Sequence, residues 1–449
     1  MTSDSPSIAV SPLDVTNAPA VVVRGRSPMA WVPTLYFAQG LPFFVVAAMA
    51  TFLLNDLGMA NDEVTNWVND IGWAWVLKPL WSPLLEVVAS KKMLVILFQV
   101  IGGVTLAGIA MALSVSTNLS IVIGILGFTA LASATHDIAS DGLYIASLSH
   151  KLQAEFAGWQ GAAFNLARLF SKGGLLVFVG YLEKTTSHPT AWSIVFALMA
   201  ATMGAVALYH VWALPDTRSG NEARTVNDVW STFAEVVVDF FRKPGIWFAI
   251  AFIVLFRISE GQLQSVAPLF LRAARADGGL GLSLSEVGLV YGTGATIAFL
   301  LGSVVGGYFT AWLGLRRAMI PLVLGMNVPN LVYWWLSVAH PTSLLTIGAS
   351  LSVEMFGYGF GCVGIILYIM QVVAVGKFSA AHYALGSGVM QLGLILSGKY
   401  SGKLQMAIGY DKFFLWTLAC AIPILLMAFV FRRSTASAAE SAAAAAAAA

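Results

Sequence analysis

The sequence predicts an all-α polytopic membrane protein, with twelve transmembrane helices in two pseudo-symmetric six-helix halves. Three observations carry this. Of 449 residues, 58% are apolar and only 10% are charged; an average soluble domain is about 25% charged, so there is too little charge to cover a water-facing surface of this size. Twelve apolar stretches approach or exceed the roughly 20 residues that a bilayer crossing takes, separated by polar or Gly/Pro punctuation. The two halves of the chain also share a weak internal repeat. This composition excludes an ordinary soluble enzyme and a disordered chain. A net charge of +2, with no basic stripe interleaved with aromatics, argues against a nucleic-acid partner.

Residues 1–28 are rich in Ser, Pro and Asp and hold their only basic residues, Arg24 and Arg26, at the far end. A cleavable leader begins basic and then turns apolar, so this segment reads as a disordered cytoplasmic tail. The N-terminal half, 29–214, carries candidate spans at 30–54, 64–88, 93–113, 119–147, 157–182 and 190–213. The interval 215–245 is the longest polar one and contains the amphipathic stretch VWSTFAEVVVDFFRK, expected to lie along the membrane surface as a linker. The C-terminal half, 246–433, carries spans at 246–272, 284–312, 318–338, 342–371, 379–406 and 412–431. Residues 434–449 are Ala-rich, low in complexity and given no function.

Loop lysines and arginines set the orientation. Fourteen fall in one set of connections, among them Lys91, Lys92, Arg316 and Arg317, against five in the other, Lys184, Arg272, Arg275, Lys403 and Lys412. That bias places both termini and the linker in the cytoplasm. The repeat agrees with six plus six: YFAQGLPFF in the first span, with Gln39–Gly40, aligns with FRISEGQLQ in the seventh, with Glu260–Gly261. Cys362 and Cys420 sit in apolar stretches and suggest neither a disulfide nor a metal site. No metal, cofactor or catalytic residue is expected, because the six histidines are scattered.

Charge inside a bilayer is costly, and what persists faces a cavity or a partner. Such residues are Asp70 and Lys78 on the second span, Asp137 and Asp141 on the fourth, and Arg168 and Lys172 on the fifth. Arg257 and Glu260 lie on the seventh, Glu354 on the tenth and Lys399 on the eleventh. Every third span holds none and reads as purely apolar, as expected if those helices face lipid. Asp137 and Asp141, one turn apart in ATHDIASDGLY, share a helix face, and two carboxylates close together in a low dielectric resist joint ionisation. They are proton or substrate candidates, with static pairing to Arg168 or Lys172 as the alternative reading. His136 points about 100° away and reads as a packing or helix-bonding residue rather than a ligand. Arg257 and Glu260, at i and i+3, either neutralise each other or hold a substrate anion and a proton. Glu354 has no partner on its own helix, and Lys399 is its candidate counter-ion; Asp70 and Lys78 are assigned to helix packing or a gate. Tyr36, Tyr144 and Tyr358 are among the aromatics able to stack on a sugar ring, with interface packing as the competing role. Gly306, Gly307, Gly357, Gly359 and Gly361 are expected to let helices approach closely.

The segments YFAQGLPFF, KPLWSPLLE, SATHDIASDGLYI, VEMFGYGFG and AHYALGSGVMQLG resemble the AmpG-like branch of the major facilitator superfamily, which is related to acetyl-CoA transporters. The resemblance covers nearly all of residues 30 to 433. In the fourth span Asp137, Ile138, Asp141, Gly142 and Tyr144 match the branch pattern, and His136 replaces a Gln. The superfamily's gating-loop pattern is degenerate: Glu86, Lys91 and Lys92 remain after the second span, and Gly307, Gly314, Arg316 and Arg317 after the eighth. The resemblance implies a secondary transporter of the inner (cytoplasmic) membrane, working as a monomer by alternating access. Spans one, four, seven and ten would enclose a cavity holding Gln39, Asp137, Asp141, Arg257, Glu260 and Glu354. The implied activity is proton-driven import of muropeptide-like or amino-sugar solutes, with another glycoside or an organic anion as the alternative cargo. A non-transporting membrane sensor or scaffold is the alternative from another class.

Overall fold

The protein is described by a computed structural model covering residues 26–82, 85, 90–115, 118–216, 226–376 and 378–431. Glu86, Arg24 and both predicted tails beyond those limits lie outside the described residues. The described chain is helical, with no strand. Ten helices are long and apolar enough to cross a membrane: α1 Pro28–Asp56, α3 Lys91–Val115, α4 Leu119–Ser147, α5 Gly158–Leu182, α6 His188–Ala213, α7 Ile246–Arg272, α8 Leu284–Leu313, α9 Leu315–Ala339, α10 Leu344–Val373 and α12 Tyr410–Phe431. The other two are broken. α2 runs as Asn61–Ile71, Trp73–Leu77 and a tight turn at Lys78–Leu80, and α11 as Ser379–Lys399 and Ser401–Ile408. The breaks fall at Gly72 and Tyr400, and both helices line the boundary between the halves.

The helix starts are legible locally. Asn118 accepts from the backbone N–H groups of Ser120 and Ile121, and Ser187 and Ser343 cap α6 and α10 in the same way. Ser283 and Glu286 form a reciprocal capping box at α8. The linker helix Val226–Arg242 packs Val236 and Phe240 inward. Lys243 beyond it donates to the carbonyls of Val373 and Val375 at 2.8 and 2.7 Å, tying the linker to the end of α10.

Membrane-facing surfaces are apolar: Met93, Val104 and Met111 on α3, Leu208 on α6, and Leu426 and Val430 on α12 are exposed. The expectation that every third helix is free of polar groups needs correction. Gln99 on α3 and His210 on α6 are fully buried and join a chain that runs Thr34–His210–Gln99–His136, with contacts of 2.9, 2.9 and 3.1 Å. Those helices face lipid on one side and carry polar groups on the other, where a buried amide or imidazole finds a partner. His136 belongs to this chain, in keeping with its reading as a helix-bonding residue.

The close-packing glycines are confirmed with one exception. A Cβ on Gly359 would meet the Phe299 carbonyl, and Gly306, Gly357 and Gly361 are similarly enclosed, whereas nothing lies within 4 Å of the Cβ position at Gly307.

The two halves meet on the side away from the chain ends. On α2, Asn61, Thr65 and Asn69 form an i, i+4, i+8 stripe. Asn61 donates to Gln405 and Tyr410 at 3.0 Å each, Asn69 to Ser265 at 3.1 Å, and Thr65 accepts from the Gly402 N–H at 3.2 Å. Gly398 and Gly402 permit this, since a Cβ at either would run into Asn69 or Thr65. Two ion pairs reinforce the layer, Lys399–Asp70 at 2.5 Å and Arg272–Asp56 at 2.7 Å. Lys399 is therefore not the counter-ion of Glu354: its helix presents it to α2 across the boundary between the halves, and Asp70 belongs to this latch. The Asp56 side chain is 2% exposed and also accepts from the Trp192 indole, so removing Arg272 strands a buried carboxylate, which costs about 3–5 kcal/mol. Arg272→Ala is expected to loosen the latch, raising labelling of a cysteine placed at Ser265 by an impermeant maleimide about tenfold or more. Unchanged labelling would show that the ion pair does not hold this side shut.

Candidate functional site

Two contiguous cavities lie between the halves on the side toward the chain ends. The upper one, nearer the latch, has a volume of about 440 Å³, and the lower one about 630 Å³. Phe43, Trp75, Phe164 and Gln391 line both and form the partition. The lower cavity reaches Tyr144 near the end of α4 and Tyr383 near the start of α11, so the path runs toward the termini.

The upper cavity is cationic. Arg168, Lys172 and Arg257 line it together with Tyr291, Phe299 and Tyr358, and no carboxylate is among its lining residues. Lys172 comes from a π-helical turn in α5, Leu169–Leu175, that faces another in α8, Gly288–Gly294; such turns often mark functional sites. Its ammonium sits 3.4 Å from the centre of the Tyr291 ring, and the Arg168 guanidinium sits 4.5 Å from that of Phe299. Aromatic faces hold cations without neutralising them, which leaves the charge available to a ligand. Arg257, 3% exposed, donates from Nη2 to the Tyr358 hydroxyl at 3.2 Å, while its Nε and Nη1 have no hydrogen-bond partner among the described residues.

Glu260 and Glu354 are each 1% exposed. Glu260 accepts from Gln264 at 2.7 Å and has its second oxygen unpartnered; Glu354 accepts from Tyr333 at 3.3 Å. The intrahelical Arg257–Glu260 pair therefore does not form, since each side chain turns to a different neighbour. Glu354 has its partner on α9, which spacing along one helix cannot reveal. Gln264, four residues after Glu260, was legible by spacing; Tyr333 left no signal.

The lower cavity is acidic. Asp137 accepts from both Gln39 and Lys78, and Asp141 accepts from the Tyr36 hydroxyl at 2.8 Å. Pairing of this dyad with Arg168 or Lys172 is overturned: those cations face α8 in the upper cavity, and Lys78 from the broken end of α2 takes Asp137 instead. Lys78, expected to serve helix packing or a gate, thus lines the site. Tyr144 lines the same cavity but gives its hydroxyl to the Gln153 carbonyl at 2.6 Å, bracing the turn into α5.

The loop candidates lie outside both cavities. Gly314 makes the α8–α9 turn at φ 75°, Arg316 and Arg317 begin α9, and Lys91 caps the chain at the Leu85 carbonyl; Lys92 is half-buried beside it. One group of ligand-type side chains converges at the latch, Asp56, Glu183 and His188. Both Asp56 oxygens there are already bonded to Arg272 and Trp192. Burial pushes the Glu183 carboxyl above the usual range, against the pull of the His188 contact at 2.8 Å.

The profile of the Major Facilitator Superfamily matches residues 34–381. The chain belongs to that superfamily. Its relatives include the anhydromuropeptide permease of Escherichia coli, 26% identical over 411 residues, which are 89% of this chain and 79% of the permease. An AmpG transporter of Rickettsia conorii is 24% identical over 405 residues, 87% and 93% of the two chains. These support the AmpG-like branch. Among solved structures, the nucleoside transporter NupG superposes with TM-score 0.66 at 16% identity, covering 90% of this chain and 99% of that one. An inward-facing, occupied bacterial homolog of the lysosomal transporter Spinster gives 0.68 at 13%, covering 91% and 98%. The superfamily member described here is a multi-pass membrane transporter, not an enzyme.

Proposed function

We propose that this transporter carries an anionic, sugar-containing solute of the muropeptide or amino-sugar type across the cytoplasmic membrane, inward and driven by protons. The observation that carries the reading is the upper cavity: three cations converge on it with the rings of Tyr291, Phe299 and Tyr358 beside them, and two guanidinium nitrogens of Arg257 have no acceptor among the described residues. A carboxylate satisfies those donors with charge-assisted bonds, and the rings of Tyr358 and Phe299 suit a pyranose face. The relatedness to an anhydromuropeptide permease supports this choice of cargo.

Protons are carried by Glu260 and Glu354. They are buried on α7 and α10 with no ion-pair partner among the described residues and lie within electrostatic reach of Lys172 and Arg168, so a change of charge on either alters the hold on an anion. Asp137, bonded to Lys78 and Gln39, is less free to cycle. Purified protein in liposomes with an imposed proton gradient should accumulate an anhydromuropeptide. No uptake across a panel of anhydromuropeptides and amino sugars would overturn this reading.

A further inference from the structure

The polar atoms left without partners differ in kind between the two cavities. In the upper one they are donors, Arg257 Nε and Nη1. In the lower one the orphan is an acceptor. Gln39 gives its amide nitrogen to Asp137, and because a carboxylate only accepts, that bond fixes Oε1 as the atom left over. This oxygen is buried without a donor, on a side chain 7% exposed. Asp141 adds a carboxylate engaged by Tyr36 at one oxygen, while the nearby cation, Lys78, is committed to Asp137. Tyr36, Trp75 and Tyr144 wall the same space, and aromatic faces favour cations.

We infer that the lower cavity binds a primary ammonium group of the cargo, held between the Asp141 carboxylate and the Gln39 carbonyl, while the anionic end engages Arg257. An ammonium brings three donors to a site that offers acceptors and rings and has no free cation among its lining residues. The cargo is therefore zwitterionic. Its charged ends lie on either side of the partition formed by Phe43, Trp75, Phe164 and Gln391. This rests on the proposed transport of an anionic sugar-containing solute and adds the amine to it.

The test uses an anhydromuropeptide whose peptide bears a free side-chain amine, alongside the same compound N-acetylated at that amine. Both are measured for counterflow and for gradient-driven uptake in liposomes holding the full chain. The wild type is expected to favour the free amine by about tenfold or more in apparent affinity, the size of one charge-assisted bond. Asp141→Asn, which keeps an acceptor for Tyr36, is expected to bring the two compounds to equal apparent affinity, and thermal unfolding of the purified variant near that of the wild type shows that it folds. Equal handling of the two compounds by the wild type, or an undiminished preference in Asp141→Asn, overturns the inference and leaves the transport reading standing. Loss of gradient-driven accumulation of both compounds in Asp141→Asn, with counterflow intact, makes Asp141 a proton carrier and likewise overturns it. Failure of the wild type to move or bind either compound removes the transport reading, and this inference with it.

Discussion

Arg257→Met is expected to lower uptake of an anionic cargo by about 100-fold or more, the loss of two charge-assisted hydrogen bonds at about 1.5–3 kcal/mol each. The residue is buried and donates to Tyr358, and its Nε and Nη1 have no hydrogen-bond partner among the described residues. A methionine keeps the apolar stem in place and removes the charge together with the bond to Tyr358. Arg257→Lys is expected to recover little, because a point charge cannot bond the tyrosine and a carboxylate in the same forked geometry. Binding of an anhydromuropeptide, followed by thermal stabilisation of the purified protein, separates lost affinity from lost motion. Stabilisation equal to that of the wild type would exclude Arg257 from the binding site.

Glu354→Gln is expected to bring the accumulation ratio under a proton gradient down to unity while counterflow of labelled cargo continues. The amide still accepts from Tyr333, so the local structure is retained, but it neither takes up nor releases a proton. A coupled carrier that loses its titrating group becomes a facilitator, since the gradient can bias alternating access only through a group whose protonation differs between the states. Continued accumulation would remove Glu354 from the coupling role and leave Glu260, tested by the same substitution. The two experiments are independent in outcome: the arginine variant loses binding of cargo, whereas the glutamate variant loses only the link to the gradient.

Much of the architecture was legible in the chain. The boundaries of the fourth span agree with α4 to the residue, because Asn118 caps one end and a polar run follows the other. α2 and α11 were less legible, since their apolar stretches hide a stripe of Asn61, Thr65 and Asn69 and the glycines that receive it. For the site, the sequence singled out Asp137, Asp141, Arg257, Glu260 and Glu354 by the cost of burying charge. It could not say which of them meet.

What the sequence determined by itself was therefore the inventory: a membrane-spanning helical chain in two related halves, and the ionisable groups it retains against the penalty of hydrocarbon. Composition and period are local quantities, and each residue carries its share of them. Partnership was decided only by the tertiary structure. Lys78 reaches Asp137 across α2 and α4, Lys399 reaches Asp70 across the two halves, and Arg168 and Lys172 turn to aromatic rings of α8. The strength of an ion pair depends on distance and on the surrounding dielectric, and both are set by how distant helices pack against one another. That packing separates a cationic cavity from an acidic one and leaves unmatched atoms in each for a ligand to complete.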